Sequence, residues 1–511
     1  MIEHYLDRLA RTINENWNAP ALTDFYLTED GKSQDTSRGN HYTYGEMYME
    51  ICRVADLLTN LGLQSGDHIA ICGANSAHWV IAYLAIAKMQ GVSVTVMHTL
   101  QPDEQARLVE FSDAKALFVD PDLWEELKEQ SLPQIQSVIS FESWQILRGE
   151  KVEIPNRKSL INNRECGFLC SEPDDLAMIC FTSGSSGGAR GVMLSYRNIN
   201  NNAKNITDGY PDDDITHFLS VLPMAHVYGL MTEIIAQLLM GEHICILVSY
   251  LTIDTLYRSI QINRPYALRL IPILLSKLIE TYHDSLNLLH STCKQIYIGG
   301  ALFDTVLEQN LLAENVPISI GYGQTETGPL ISYSICATYK AGTCGKIVEG
   351  MTCHIAPNGE ILVKGENVML GYYKDPEATA QKIDKDGWLH TGDKGHMDED
   401  GYLYVEGRLE QDIIVLPNGE NIRPDNIEAL INALPEVKES IVIARDGRLI
   451  AIVVPQITNH QSPITNADLR RHVLRTINPQ LPLFSQLYDV EITDQPLQRT
   501  EKQTIKRYLY K

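Results

Sequence analysis

Between residues 182 and 191 the chain reads TSGSSGGARG, preceded by the apolar run LAMIC and followed by a helix-like stretch. Four hydroxyls (Thr182, Ser183, Ser185, Ser186) stand among four glycines (Gly184, Gly187, Gly188, Gly191), with one cation, Arg190. Such a run exposes backbone N–H and side-chain O–H donors, and glycine lets the backbone come close to a ligand. Phosphate oxygens suit that geometry. No Gly-Lys-Ser/Thr closes the run, so the P-loop signature is absent. The pattern predicts a phosphate-holding loop between a strand and a helix. A plain surface loop is the bland reading of this stretch taken alone.

Other segments reduce the weight of the bland reading. They are YTYGEM (42–47), GYGQTETG (321–328), GWLHTGDKGHMDEDGYLYVEGR (387–408) and NGENIRPDNIE (418–428). Together with the 182–191 run, and in this order, they resemble the motifs of the acyl-adenylate-forming enzymes. That superfamily holds acyl-CoA synthetases, peptide-synthetase adenylation domains and luciferases. The resemblance extends from residue 42 to the end of the chain. LPNGENIRP and the terminal IKRYLY look most like bacterial long-chain fatty acyl-CoA synthetases.

The resemblance implies a role for each matched residue. Thr182, Ser183, Gly184, Ser185, Ser186, Gly187 and Arg190 would hold the phosphates of ATP. Tyr322 would offer a flat face to adenine, and Gly299, Gly300, Ala301 and Gly323 would leave room for the purine. Thr325 would bond the α-phosphate. Glu326 would hold Mg²⁺, a hard ion that takes carboxylate and phosphate oxygens. Asp393 would accept both ribose hydroxyls, and Arg408 would reach the ribose from the domain junction. His226, in LPMAHVYGL, would lie by the acid's carboxylate. Glu410 occupies the hinge position.

The implied reaction is attack of a carboxylate on the α-phosphorus of ATP, followed by transfer of the acyl group from AMP to the thiol of CoA. A carrier-protein phosphopantetheine is the alternative acceptor. No Phe-Asp segment accompanies His226 to pair with a substrate ammonium, and an unpaired buried ammonium is costly. A fatty or aryl acid is therefore expected, a fatty acid first. Two departures stand out. The loop carries Ala189-Arg190 where the family has Pro-Lys, and Thr504 stands where the family has its catalytic lysine. Lys502 or Lys506 is the expected substitute. A nucleotide-binding relative with weakened adenylation is the remaining alternative.

These residues need elements to position them. Residues 66–120 alternate strand-like and helical patterns, and the rhythm returns from 243 to 300, which predicts an α/β fold with two mostly parallel sheets. SAHWVIAYLAIAKMQG and ILLSKLIETYHDSLN read as helices within it. From about 340 to 407, short strands broken by glycine turns predict a small antiparallel or barrel-like subdomain. After Gly407 a further hundred residues carry their own apolar pattern, enough for a small mobile α+β domain. The expected division is 1–407 and 408–511, with the hinge at 408–412.

The chain has 511 residues, 44% of them hydrophobic and 21% charged, with a net charge of −23. That balance argues against a nucleic-acid or anionic-membrane partner but not against a small anionic ligand. The N-terminal stretch has no signal-peptide core, and no apolar run reaches membrane-spanning length, so a soluble cytoplasmic protein is expected. Ten cysteines are scattered along the chain. Cys72, Cys180 and Cys245 read as small buried hydrophobes. Cys166 and Cys170 lack a second His/Cys pair at zinc spacing.

Overall fold

The structure is a computed structural model. It describes the chain except residues 1–2, 29–32, 36–37, 154–165, 183–188, 210–216, 249–250, 302, 304, 336–337, 410–413, 418–419, 457–464, 499–508 and 511, and the side chains of 306, 408 and 425. Two compact bodies are formed, the larger by residues 1–182 and 190–407, the smaller built on residues 408–511.

The larger body contains two extended sheets. In the first, of eight strands, the parallel strands Leu176–Thr182, Val92–Val96, His68–Cys72, Ala116–Val119 and Ser137–Ser140 are neighbours in that order. In the second, of nine strands, the parallel run is Ile318–Gly323, Gln295–Ile298, Ala267–Leu270, His217–Ser220, His243–Leu247 and Pro20–Phe25. The helix Ala77–Lys88 packs against strands of both sheets. Its residues from Ala77 to Ala87 are all buried. This is why its sequence is apolar on every face rather than along one stripe.

Cys72, Cys180 and Cys245 are buried as expected, Cys166 is buried and Cys170 exposed. Residues 351–408 add a four-stranded antiparallel sheet, in the order Met351–Ile355, Glu360–Gly365, Leu389–Met397, Leu403–Arg408.

Two local expectations change. The hydroxyl-rich run does not lead straight into a helix. Leu176–Thr182 and Arg190–Ser195 pair antiparallel, with Thr182 opposite Arg190. The run therefore connects two strands, and the helix Tyr196–Asp208 follows, capped by Ser195 and Asn198. The apolar GVML favours a strand packed on a buried face. The helical pattern over 273–287 is also interrupted, giving Pro272–Thr281 and Ser285–Thr292. Tertiary bonds override propensity there. Tyr282 stacks on Tyr257 at 3.7 Å, and the Tyr257 hydroxyl donates to Asp284 at 2.7 Å.

In the smaller body Val437–Arg445 and Arg448–Pro455 form an antiparallel pair, and Asp489–Ile492 adds in parallel. Helices Pro424–Asn432 and Asn466–Ile477 supply Ile427, Ile431, Leu469 and Val473 to its core. Among the described residues no helix is long and apolar enough to cross a membrane.

Candidate active site

In a parallel sheet, ligands bind beyond the carboxyl ends of the strands, where the strand order changes direction. His217–Ser220 is such a strand, with its sequence successors on opposite sides. Three carboxyl ends of this sheet carry expected site residues. His217–Ser220 leads to His226, Gln295–Ile298 leads to Gly299, Gly300 and Ala301, and Ile318–Gly323 ends in Tyr322 and Gly323.

The turn bearing His226 is clamped from three directions. Asn75 Nδ2 donates to Leu222 O at 2.7 Å, and Met224 N donates to Asn75 Oδ1 at 2.9 Å. Thr95 donates to Ala225 O at 2.9 Å. Buried Glu233 accepts from the Ser220 hydroxyl at 2.9 Å, from Val221 N at 3.0 Å and from Leu222 N at 2.9 Å. It lies in a π-helical segment, Leu230–Ile235, and burial pushes its carboxyl up to about 8.

His226 is exposed, and the loss of surrounding water to neighbouring protein lowers its pKa. Its Nδ1 accepts from Tyr228 N at 3.1 Å. The neutral ring then carries its proton on Nε2, a donor at the edge that is left.

Tyr228 links this turn to the glycines. A Cβ at Gly299 would stand 3.1 Å from the Tyr228 hydroxyl oxygen and 3.3 Å from Gly321 O, so the absent side chain makes room for the phenol. At Gly323 the constraint is harder, since a Cβ would lie 1.8 Å from Pro329 O. The close approach lets Gln324 N donate to Pro329 O at 2.9 Å and closes the turn holding Thr325 and Glu326.

Tyr322 and Asp393 meet directly. The Tyr322 hydroxyl donates to Asp393 Oδ2 at 2.7 Å. Asp393 is only 6% exposed, and its backbone N–H is held by Thr391 Oγ1 at 3.0 Å. Thr325 is buried and Glu326 half-buried.

Arg190 and Glu326 meet through a third residue, Tyr372. Its hydroxyl donates to Glu326 Oε1 at 2.7 Å, and the Arg190 guanidinium carbon lies 5.1 Å from its ring centroid. Arg190 Nε also stands 3.9 Å from Asp375 Oδ2. The GYYKD segment offered no chemical signal, because Tyr372 matters only once Gly371–Tyr372 pairs with Arg190–Ser195. Tyr228 and Glu233 lie in HVYGLMTEIIAQLL, a stretch expected to line the acid pocket, but the sequence assigned neither a contact of its own.

Ser183, Gly184, Ser185, Ser186, Gly187, Glu410, Lys502, Thr504 and Lys506 lie outside the described residues. Arg408 closes the strand Leu403–Arg408, and its side chain is likewise outside them.

For Mg²⁺ the donor chemistry fits. The Glu326 carboxylate and the Thr325 hydroxyl are hard oxygen donors beside one another in sequence. Among the described residues no group of three or more His, Cys, Asp or Glu is placed to hold a metal. Mg²⁺ bound with a nucleotide needs none, because it takes one or two carboxylates and fills its shell with phosphate oxygens and waters.

Residues 9–373 match the AMP-binding enzyme family, and residues 411–510 match the AMP-binding enzyme C-terminal domain. The chain belongs to the AMP-binding enzymes. Among curated members, 4-coumarate–CoA ligase 1 of Solanum tuberosum is 27% identical, over 80% of this chain and 78% of its own. 4-Coumarate–CoA ligase 3 of Oryza sativa subsp. japonica is 26% identical, over 87% and 83%. Among solved structures, the o-succinylbenzoate CoA synthetase of Bacillus subtilis superposes with a TM-score of 0.77 at 23% identity, covering 98% of this chain and 97% of its own. A fatty acyl CoA synthetase of Mycobacterium tuberculosis gives 0.66 at 22%, covering 99% and 97%. These likenesses carry the AMP-binding enzyme fold across both bodies and leave the acid open.

Proposed function

We propose that this AMP-binding enzyme activates a fatty or aryl carboxylic acid with ATP and Mg²⁺ and transfers the acyl group to the thiol of CoA. The observation that carries the reading is the pair of contacts Tyr322–Asp393 and Arg190–Tyr372–Glu326 in one body. On this reading they would supply a ribose acceptor, an aromatic face, a cation and a hard carboxylate, the groups that a nucleoside triphosphate requires.

In the first half-reaction the acid's carboxylate oxygen attacks the α-phosphorus, and the bond to pyrophosphate breaks. Thr182 and Arg190, facing each other across their strand pair, would bond phosphate oxygens. Thr325 would bond the α-phosphate, and Asp393 would fix the ribose. The rate gain is positioning plus stabilisation of developing phosphate charge. Mg²⁺, held by Glu326 when bound, supplies part of that neutralisation. In the second half-reaction the CoA sulfur attacks the acyl carbonyl, and AMP leaves.

Support for the acid class comes from the turn after Ser220. His226 offers a neutral donor, Tyr228 a phenol body, and Leu230, Met231 and Ile234 an apolar continuation. The carboxyl of this segment, Glu233, is engaged by Ser220, Val221 N and Leu222 N and is kept protonated by burial, so it offers no free charge to an amino acid's ammonium. The curated relatives named as 4-coumarate–CoA ligases favour an aryl acid, while the LPNGENIRP and IKRYLY segments favour a long-chain fatty acid. Acid-dependent pyrophosphate exchange over a panel of both classes, with amino acids as controls, tests the reading. Thioester formation is then measured with CoA and with a carrier protein. Exchange with amino acids alone would discard the acid class. Acylation of the carrier protein but not of CoA would discard the acceptor.

A further inference from the structure

We propose that Tyr372 is a positioning residue of the nucleotide site, its hydroxyl holding Glu326 and its ring holding Arg190, so that carboxylate and cation reach the triphosphate at a set separation. The inference rests on the adenylation reading of the same cleft.

Tyr372 is 4% exposed, and its backbone is fixed on several sides. It stands opposite Val192 in the strand pair, and its N–H donates to Thr379 Oγ1 at 2.8 Å. Tyr373 N donates to Gly191 O at 2.7 Å, and Met369 N donates to Glu326 O at 2.9 Å. The segment 369–373 therefore spans from the strand that begins at Arg190 to the turn that carries Glu326. A phenol on such a span cannot drift, and neither can the groups it touches. Its bond to Oε1 sets the rotation of the Glu326 carboxylate and so orients the other oxygen.

The same contact accounts for the Ala189-Arg190 departure. A guanidinium is planar and lies on an aromatic face, whereas an ammonium is a compact, strongly hydrated point charge. With a tyrosine at 372 presenting its ring, arginine is the cation that the strand end can hold in place.

Tyr372→Phe keeps the ring and removes the hydroxyl. ATP affinity is measured by calorimetry with and without Mg²⁺, and acid-dependent pyrophosphate exchange is followed as Mg²⁺ is varied. We expect Y372F to bind ATP without Mg²⁺ within twofold of the natural protein. It should lose at least fivefold of the gain in affinity that Mg²⁺ brings, and need correspondingly more Mg²⁺ for half-maximal exchange, with the acid's KM unchanged. Because Tyr372 acts through Glu326, the double variant Y372F/E326Q should lose no more of the Mg²⁺ gain than E326Q alone. Additive losses, or a Y372F protein with the natural Mg²⁺ gain and half-saturation, overturn the inference whatever happens to stability. A natural protein that binds no ATP and exchanges no pyrophosphate overturns the adenylation reading, and this inference with it.

Discussion

At the scale of single residues, the proposed nucleotide site is built from shared hydrogen bonds. Asp393 is held by Tyr322 and oriented by Thr391, so Asp393→Ala removes an acceptor and leaves a phenol without its partner. Loss of charge-assisted bonds of this type costs about 1–3 kcal/mol. ATP affinity should fall by roughly 10–100-fold with the fold intact, and calorimetry showing an unchanged affinity would remove Asp393 from the site. Glu233 makes a different prediction. Its carboxyl titrates at about 8 in the folded protein against an ordinary 4.5. Between those values the folded protein keeps a proton that the unfolded chain has released. Its contribution is therefore fully present below 4.5 and is lost as pH rises towards 8. Glu233→Gln should melt with a weaker dependence on pH over that interval, with the gap from the natural protein closing or reversing towards pH 8. Parallel melting curves against pH would refute this. Asp393, Tyr322, Glu326 and Arg190 could be put forward from the sequence because each sits in a motif of fixed spacing, and the contacts Tyr322–Asp393 and Arg190–Tyr372–Glu326 are what the structure adds. Tyr372 and Glu233 could not be, since their partners lie tens of residues away or on an adjacent turn.

At the scale of elements, the turn after Ile318–Gly323 depends on a missing side chain. Gly323→Ala would force a methyl group onto Pro329 O and open the bond from Gln324 N. Exchange activity and ATP affinity should both drop more than tenfold, and circular dichroism should show the sheets retained. A G323A protein with ordinary ATP affinity would mean that this turn does not set the site. The α/β rhythm was readable because buried parallel strands are short apolar runs between helical patterns. The break at 282–284 was not, because it is made by Tyr257, Asp254 and Asp284 rather than by a glycine or proline. The helix Tyr196–Asp208 reads as polar along NINNNAKN, yet Asn198, Asn201, Asn202 and Asn205 are buried. Their amides bond backbone of the segments 327–330, 349 and 366–368. Sequence polarity could not reveal this, since an amide that satisfies a neighbouring backbone looks the same as one facing water.

At the scale of the whole molecule, the adenylation reading requires both matched regions, and Thr504 lies in the smaller one. A charge-assisted contact realised in the transition state is worth about 2.7–4 kcal/mol, or roughly 10²–10³ in rate. Thr504→Lys should speed acyl-AMP formation and leave thioester formation from supplied acyl-AMP nearly unchanged, while Lys502→Ala should slow the first step. If the natural protein adenylates quickly and neither variant alters that rate, the tail plays no such part. The nine-stranded sheet has a consequence of another kind, for the order in which the protein is made. Leu22 pairs with Ile244, and Phe25 with Leu247. The strand Pro20–Phe25, buried along nearly its whole length, leaves the ribosome about 220 residues before its partner. At about 5–20 residues per second that is a wait of roughly 10–40 s. Through that interval a strand bound for the core has an open edge, the kind of template on which chains pair wrongly. Slower synthesis or truncation before residue 243 should therefore harm yield more than the stability of the finished protein suggests.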